Sequence, residues 1–205
     1  MIELFFWTTD NGRKALQAME ESGLPYRRRP VDLTKREQFQ PEFLKISPGH
    51  KIPALTDDQG PGGAHISLCE SGAILKYVAE KAGGALYPAD PRQRLKVDQW
   101  FFYGTSTFTP LAQQYGLFMH RFGEDVPPVK KHYDGVMRDM FGIFDRHLAD
   151  NEYLAGAYSI ADISSYPDVH IHGAQGMGLG DYPNLKRWHD AIAARPAVQK
   201  AWAPI

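Results

Sequence analysis

The 205-residue chain is predicted to hold an α/β N-terminal domain over residues 1–84, a linker over 85–91 and an all-helical domain over 92–205. Three observations carry that division. Short apolar runs of β character alternate with amphipathic stretches as far as Lys81. The segment Leu86-Tyr87-Pro88-Ala89-Asp90-Pro91 is punctuated by prolines, and beyond it every apolar pattern has the helical period.

Each element has its own signal. Residues 2 to 7 form an apolar run suited to a strand, and Asp10-Asn11-Gly12 supplies capping residues for a helix over Arg13 to Glu21 that Gly23 closes. Tyr26 to Leu33 reads as a second strand, whose Arg27-Arg28-Arg29 triplet fits a solvated strand protected from edge pairing. Glu37 to Leu44 is a short, weak helix. Lys51 to Thr56 is a third strand, in which Pro53 cannot donate to a central ladder and so calls for an edge-like or kinked entry, or a cis bond. The Asp57-to-Gly63 run is a turn, His65 to Leu68 a fourth strand, and Ser71 to Lys81 a helix that stops at Gly83-Gly84. The resulting order, βαβαββα, is thioredoxin-like.

In the second half, Arg92 to Arg121 reads as one long helix bent near Pro110, and Pro127 to Leu148 has near-ideal amphipathic spacing. Ser159-Ile160-Ala161-Asp162 is a capping box in carboxylate form, opening a helix through Asp168 or beyond. Asn184 to Ala194 and Ala197 to Trp202 complete the helices.

Composition narrows the function. A net charge of −1 with 23% charged residues gives no basic surface for nucleic acid, and no apolar run reaches the ~20 residues that span a bilayer. The chain opens directly on strand-like residues without a signal peptide, and its single cysteine, Cys69, forms no internal disulfide; both suit a cytoplasmic protein. No metal site is expected. His170 and His172 lie two apart on a helix and point in different directions, so they do not face one ion. Gly176-Met177-Gly178-Leu179-Gly180 follows a helix rather than a strand, which makes it an interhelical loop and not a dinucleotide loop.

Two motifs carry chemistry. Lys51-Ile52-Pro53 can present a backbone edge to a peptide, and Glu70-Ser71 opens a helix with a carboxylate and a hydroxyl at its positive end. Together they describe a pocket for a small zwitterionic peptide. Where the first β-turn-α would need a cysteine for thiol chemistry, the chain has Thr8-Thr9-Asp10-Asn11. Any sulfur chemistry must therefore use a ligand's sulfur. Cys69, beside Leu68, reads first as a small buried hydrophobe.

These motifs, the two-domain order and the Ser159–Asp162 box resemble a cytosolic glutathione transferase. Thr9-x-Asn11-Gly12, Val31-Asp32-Leu33, the Gln38-to-Pro48 run and Ser67-Leu68-x-Glu70-Ser71-Gly72-Ala73-Ile74 resemble the nu-class or Ure2-like bacterial members, which are glutathione-dependent disulfide-bond oxidoreductases. The resemblance implies reduced or oxidised glutathione as bound cosubstrate. The Ile52 backbone, before Pro53, then pairs with the cysteinyl amide groups, Lys51 and Gln38 meet the glycyl carboxylate, and Ser71 and Glu70 take the γ-glutamyl carboxylate and ammonium. Thr9 and Asn11 stabilise the thiolate, with Thr8 a rival to Thr9. It further implies a homodimer, with Gln99 a contact across it. A second glutathione would lie near His132, where the chain has Lys130-Lys131-His132 in place of a relative's arginine. Partners are then small disulfides, hydroperoxides or electrophiles. A conventional conjugating transferase and a non-catalytic glutathione-binding module are the alternative readings.

Overall fold

The computed structural model describes residues 1–204, the side chains of 174 and 175 excepted. By internal contacts the chain divides into two compact units: Met1–Tyr87 together with the segment that begins at Arg195, and Pro88–Ala194.

The first unit is built on a four-stranded mixed sheet in the order β2-β1-β3-β4. Strand β1 (Ile2–Phe6) buries Ile2, Leu4 and Phe6 on one face, the period-two pattern of a strand with a single core side. It pairs in parallel with β2 (Tyr26–Pro30), which requires the crossover supplied by helix α1 (Asp10–Ser22). Gly23 closes α1 in the left-handed region at φ 66°, where glycine has no Cβ to clash. On β2 the three arginines are exposed, as an edge strand allows, and each has a carboxylate partner: Arg28 on Glu20 and Arg29 on Glu3, each at 2.6 Å, and Arg27 on Glu3 at 3.9 Å.

After 3₁₀ turns at Leu33–Lys35 and Glu37–Phe39 and the one-turn helix α2 (Pro41–Leu44), the chain returns antiparallel along β1 as β3 (Ala54–Asp57). Strand β3 is therefore central and shorter than the sequence suggested. Lys51 to Pro53 precede the ladder, and the Ile52–Pro53 peptide is cis, which reconciles a proline with a central strand. Strand β4 (Ile66–Cys69) completes the sheet, and α3 (Ser71–Lys81) packs beside α1 through Ile74, Leu75, Val78 and Ala79.

The second unit is helical: α4 (Pro91–Phe102), α5 (Thr109–Gly116), α6 (Pro127–Leu148), α7 (Ile160–His172) and α8 (Pro183–Ala193). The single long helix expected over Arg92 to Arg121 is instead interrupted by π-helical segments at Tyr103–Phe108 and Leu117–Arg121. Pro110 has no N–H to return to the preceding turn, and the wider register just before it absorbs that loss. The Ser159 box forms as expected: its side chain accepts from Ala161 N, while Asp162, fully buried, accepts from Ser159 N at 2.9 Å, Leu154 N at 2.9 Å and Trp188 Nε1 at 2.8 Å. The last helix, α9 (Pro196–Trp202), packs on α1 in the first unit.

Candidate functional site

Three segments of the first unit carry the predicted residues. The turn after β1 brings Thr9 to the start of α1 as its N-cap, a place the sequence had suggested for Asp10-Asn11-Gly12. Its extended backbone (φ −99°, ψ 165°) aims Oγ1 at Gly12 N, 3.1 Å away. Gly12 is obligatory there, because a Cβ would lie 2.1 Å from the Trp7 carbonyl oxygen. Since a hydroxyl accepts and donates at once, capping leaves Thr9 O–H as a donor at the positive end of α1. Capping and a role toward an anion do not compete. Thr8 is exposed, beside it.

Asn11 lies in the first turn of α1, and its side-chain oxygen accepts the Ser71 hydroxyl at 3.3 Å. Ser71 is the first residue of α3. Residues sixty apart thus join two helix N-termini side by side, with the Asn11 amide hydrogens left as donors. Glu70, just before α3, is held at φ 71°, ψ 117°. A non-glycine residue there costs roughly 1–3 kcal/mol, which the surrounding structure must offset. Its carboxylate is exposed and meets no cation among the described residues.

The third segment runs from the 3₁₀ turns to β3. Ser47, buried, donates to the Lys51 carbonyl at 2.8 Å and so fixes the approach to the cis bond. Ile52 has neither its N–H nor its C=O bonded to another backbone group among the described residues. Its side chain packs on a cluster of Val31, Phe43 and Ala54, joined by Phe5 and Ile46. The Lys51 ammonium is exposed and finds no carboxylate, and Gln38 holds a buried Oε1 that no donor meets, both among the described residues. Buried polar atoms are almost always partnered, so this orphaned acceptor awaits a donor such as a ligand N–H, while the Gln38 NH2 is the group that can meet an anion.

The layout of charge follows. Among the described residues, Glu70 is an unpaired carboxylate just before the α3 N-terminus, Lys51 an unpaired cation and Ile52 an unpaired backbone edge. A ligand with an ammonium and a carboxylate at one end, a carboxylate at the other and amides between them fits that set.

Other predicted residues lie elsewhere. Cys69 is half-buried at the end of β4, opposite Ala54, and is a free thiol. Gln99 is exposed on α4, and His132 is exposed on α6 with its ring edge-on to Tyr133 at 5.2 Å. His170 Nδ1 meets His189 Nε2 at 2.9 Å, while His172 is buried edge-on to Tyr115. Among the described residues no group of three His, Cys, Asp or Glu side chains could hold a metal ion, and no helix is long and apolar enough to cross a membrane.

The sequence reading missed a buried ionic support at the other end of the sheet, where β3 ends opposite Ile2. Asp57, set down as the start of a turn, is 1% exposed; its Oδ2 accepts from Tyr77 at 2.6 Å and pairs with Lys81 at 2.8 Å, and its Oδ1 accepts from Gln59 N at 2.9 Å. Burial pushes this carboxyl up, but Lys81, Tyr77 and the Gln59 N–H outweigh it and hold the pKa at about 2. No local signal in Asp57-Asp58-Gln59-Gly60 announced Tyr77 or Lys81 as partners.

With the sheet, the helical unit and this arrangement in view, the chain belongs to the glutathione S-transferase family. The family's N-terminal domain matches residues 4–86 and its C-terminal domain residues 108–196. Among individual relatives, the chain is 40% identical to disulfide-bond oxidoreductase YfcG of Escherichia coli over 98% of its own length and 94% of the relative's. A glutathione transferase family member from Pseudomonas fluorescens, solved with two glutathiones bound, superposes with a TM-score of 0.92 at 34% identity, covering 98% of this chain and 91% of that one. A glutathione transferase from Pseudomonas putida, solved with one glutathione disulfide per subunit, gives 0.91 at 34% identity over 98% and 90%.

Proposed function

We propose that this protein is an enzyme that uses bound glutathione to reduce small disulfides. The observation that carries the proposal is the start of α1, where a cysteine-free turn offers the Thr9 hydroxyl and the Asn11 amide as donors. A free thiol has a pKa of about 8.5, and lowering it by two units takes roughly 2.7 kcal/mol of preferential thiolate stabilisation. Two such donors and the α1 N-terminus supply interactions of that size. Glutathione lies along Ile52, with Lys51 and Gln38 on its glycyl carboxylate and Glu70 and Ser71 on its γ-glutamyl group. Pro53 precedes the ladder and keeps the Ile52 edge available for that pairing.

The chemistry needs no protein cysteine. A glutathione thiolate attacks one sulfur of the substrate disulfide, forming a mixed disulfide and releasing one thiolate. A second glutathione thiolate attacks the glutathione sulfur of that mixed disulfide. The products are glutathione disulfide and two substrate thiols, the protons coming from the two glutathione thiols. The disulfide bound to the P. putida relative and the two glutathiones in the P. fluorescens relative support this reading. So does the name of the E. coli relative. Hydroperoxides are reduced by the same two-thiol stoichiometry, yielding alcohol and water. The active form is a homodimer with Gln99 at its interface, and His132 borders the second glutathione.

The test is glutathione-dependent reduction of hydroxyethyl disulfide by wild type, Thr9→Ala and Asn11→Ala. Wild type turns over, and each variant loses ~10–100-fold in kcat, the cost of one or two charge-assisted donors. Wild-type inactivity on the disulfide, or full activity in both variants, would overturn the proposal.

A further inference from the structure

Helices α7 and α8 of the second unit meet through two imidazoles. His170, near the C-terminal end of α7, and His189, on α8, bring Nδ1 and Nε2 within 2.9 Å of each other. Their ring centres are 5.2 Å apart and their planes lie 13° from parallel. That separation is the nitrogen–nitrogen distance with one ring radius added at each end, so the rings meet edge to edge, close to a common plane. The contact is a nearly linear N–H···N hydrogen bond. A metal ion seated on that line would hold the nitrogens about 4 Å apart, so the pair is built to share a hydrogen and not a metal.

One hydrogen fits between these nitrogens, and it fixes how the pair takes up protons. With both rings neutral, one N–H donates to the lone pair of the other ring. A first added proton makes the donor ring an imidazolium, and the bond survives with charge to assist it. A second puts N–H on both facing nitrogens. The bond is then lost, and two cations face each other across 2.9 Å.

The neighbours do not absorb that second charge. Asp190 accepts from His189 Nδ1 at 2.9 Å, but it is also closed on Lys186, and these two partners hold its carboxyl below the usual range. The one anion beside the pair thus already faces a cation. Tyr166 places its hydroxyl 3.3 Å from His170 Nδ1 and its ring along His189, and burial keeps its phenol protonated. The segment Gly173 to Gly180 that joins the helices contains no titratable residue. On the other sides of these helices, Asp168 accepts from Thr109 of α5, His172 lies edge-on to Tyr115 of α5, and Asp145 of α6 accepts from Asn184 N and Leu185 N at the start of α8. His170 is half-buried, and burial together with His189 lowers its pKa from the ordinary imidazole value.

We propose that the His170–His189 pair is an acid-sensitive latch between α7 and α8, closed while the two rings hold at most one added proton and opened by the second. The latch lies within the helical unit and does not depend on the glutathione reading. Beside it is a cavity of about 280 Å³ lined by His170, Gly173, Leu179, Lys186, His189 and Asp190, which admits water to the rings as they part. Separated imidazoles each take a proton near pH 6.5, whereas the closed pair takes its second only at lower pH. The closed form is therefore favoured in full above that value and is lost as the pH falls below it.

The experiment follows the imidazole Cε1–H signals of His170 and His189 by NMR from about pH 8 to about pH 4.5 in wild type, His170→Gln and His189→Gln. Amide hydrogen exchange along α8, corrected for the intrinsic pH dependence of exchange, reports opening in the same samples. In wild type the pair titrates in two steps, the second at least about one unit below the first, and either glutamine leaves a single step for the remaining histidine. Opening of α8 relative to α6 becomes about fivefold to tenfold more frequent between about pH 7 and about pH 5 in wild type, and changes by at most about twofold in the variants. The wild-type titration needs no substitution, so it judges the latch even where a variant does not fold. Two independent titrations in wild type, or the same acid-induced opening in both variants, overturns the proposal.

Discussion

A carboxylate buried to 1% exposure usually endangers a fold, and Asp57 shows how one becomes a support. Its folded pKa of about 2 lies below the value near 3.9 it has in an unfolded chain. The unfolded state therefore binds more protons between those values. The stabilisation, about 2 kcal/mol, is complete above pH 4 and disappears as the pH falls through 2. Wild type should lose stability steeply across that window in chemical-denaturation titrations, and Asp57→Asn should be flatter there and about 2–3 kcal/mol less stable at pH 7, with Lys81 left unpaired. Thr9 and Asn11 are the contrasting case at the same scale. The sequence placed a helix start within this turn, because capping is decided by neighbours a few residues apart, but gave the cap to Asp10-Asn11-Gly12, whereas Thr9 takes it. The bond from Ser71 to Asn11 was not legible, since it joins residues sixty positions apart.

Among the elements, the interrupted helix after the linker is the most instructive. Amphipathic spacing from Arg92 to Arg121 correctly marked helix, yet the π-helical register at Tyr103–Phe108 depends on what packs against it. Gly104 sits there so close to α7 that a Cβ would fall 2.2 Å from Ser164 Oγ and 2.6 Å from Ser165 Oγ. Gly104→Ala should therefore cost roughly 1–3 kcal/mol by forcing these segments apart. Pairing it with Ser164→Gly should recover part of the loss in thermal melts; a neutral single variant would show that the approach is not needed. The Ser159–Asp162 box could be read directly, because both its hydrogen bonds lie within four residues. That Asp162 also receives the Trp188 indole N–H could not.

At the scale of the molecule, the C-terminal residues join the first unit instead of ending the helical one. Arg195 makes a two-pronged pair with the mostly buried Glu21 at 2.7 and 2.8 Å, Arg13 donates to the Ala201 carbonyl and lies 5.3 Å from the Trp202 ring, and Val198 and Ala201 are buried. Removing residues 196–205 should lower Tm and expose α1, whereas Arg195→Gln alone should cost about 1–3 kcal/mol. Equal melting of the truncated and full chains would count against this packing. Strand and helix types, the βαβαββα order, the capping box and the Lys51-Ile52-Pro53 and Glu70-Ser71 motifs all follow from residues a few positions apart, where side-chain period and capping chemistry act. Partnership across the chain is another matter: Asp57 with Tyr77 and Lys81, Gly104 against α7, and α9 against α1. Those pairings became visible only once folding had brought distant residues together, because burial, charge pairing and close approach are properties of neighbours in space.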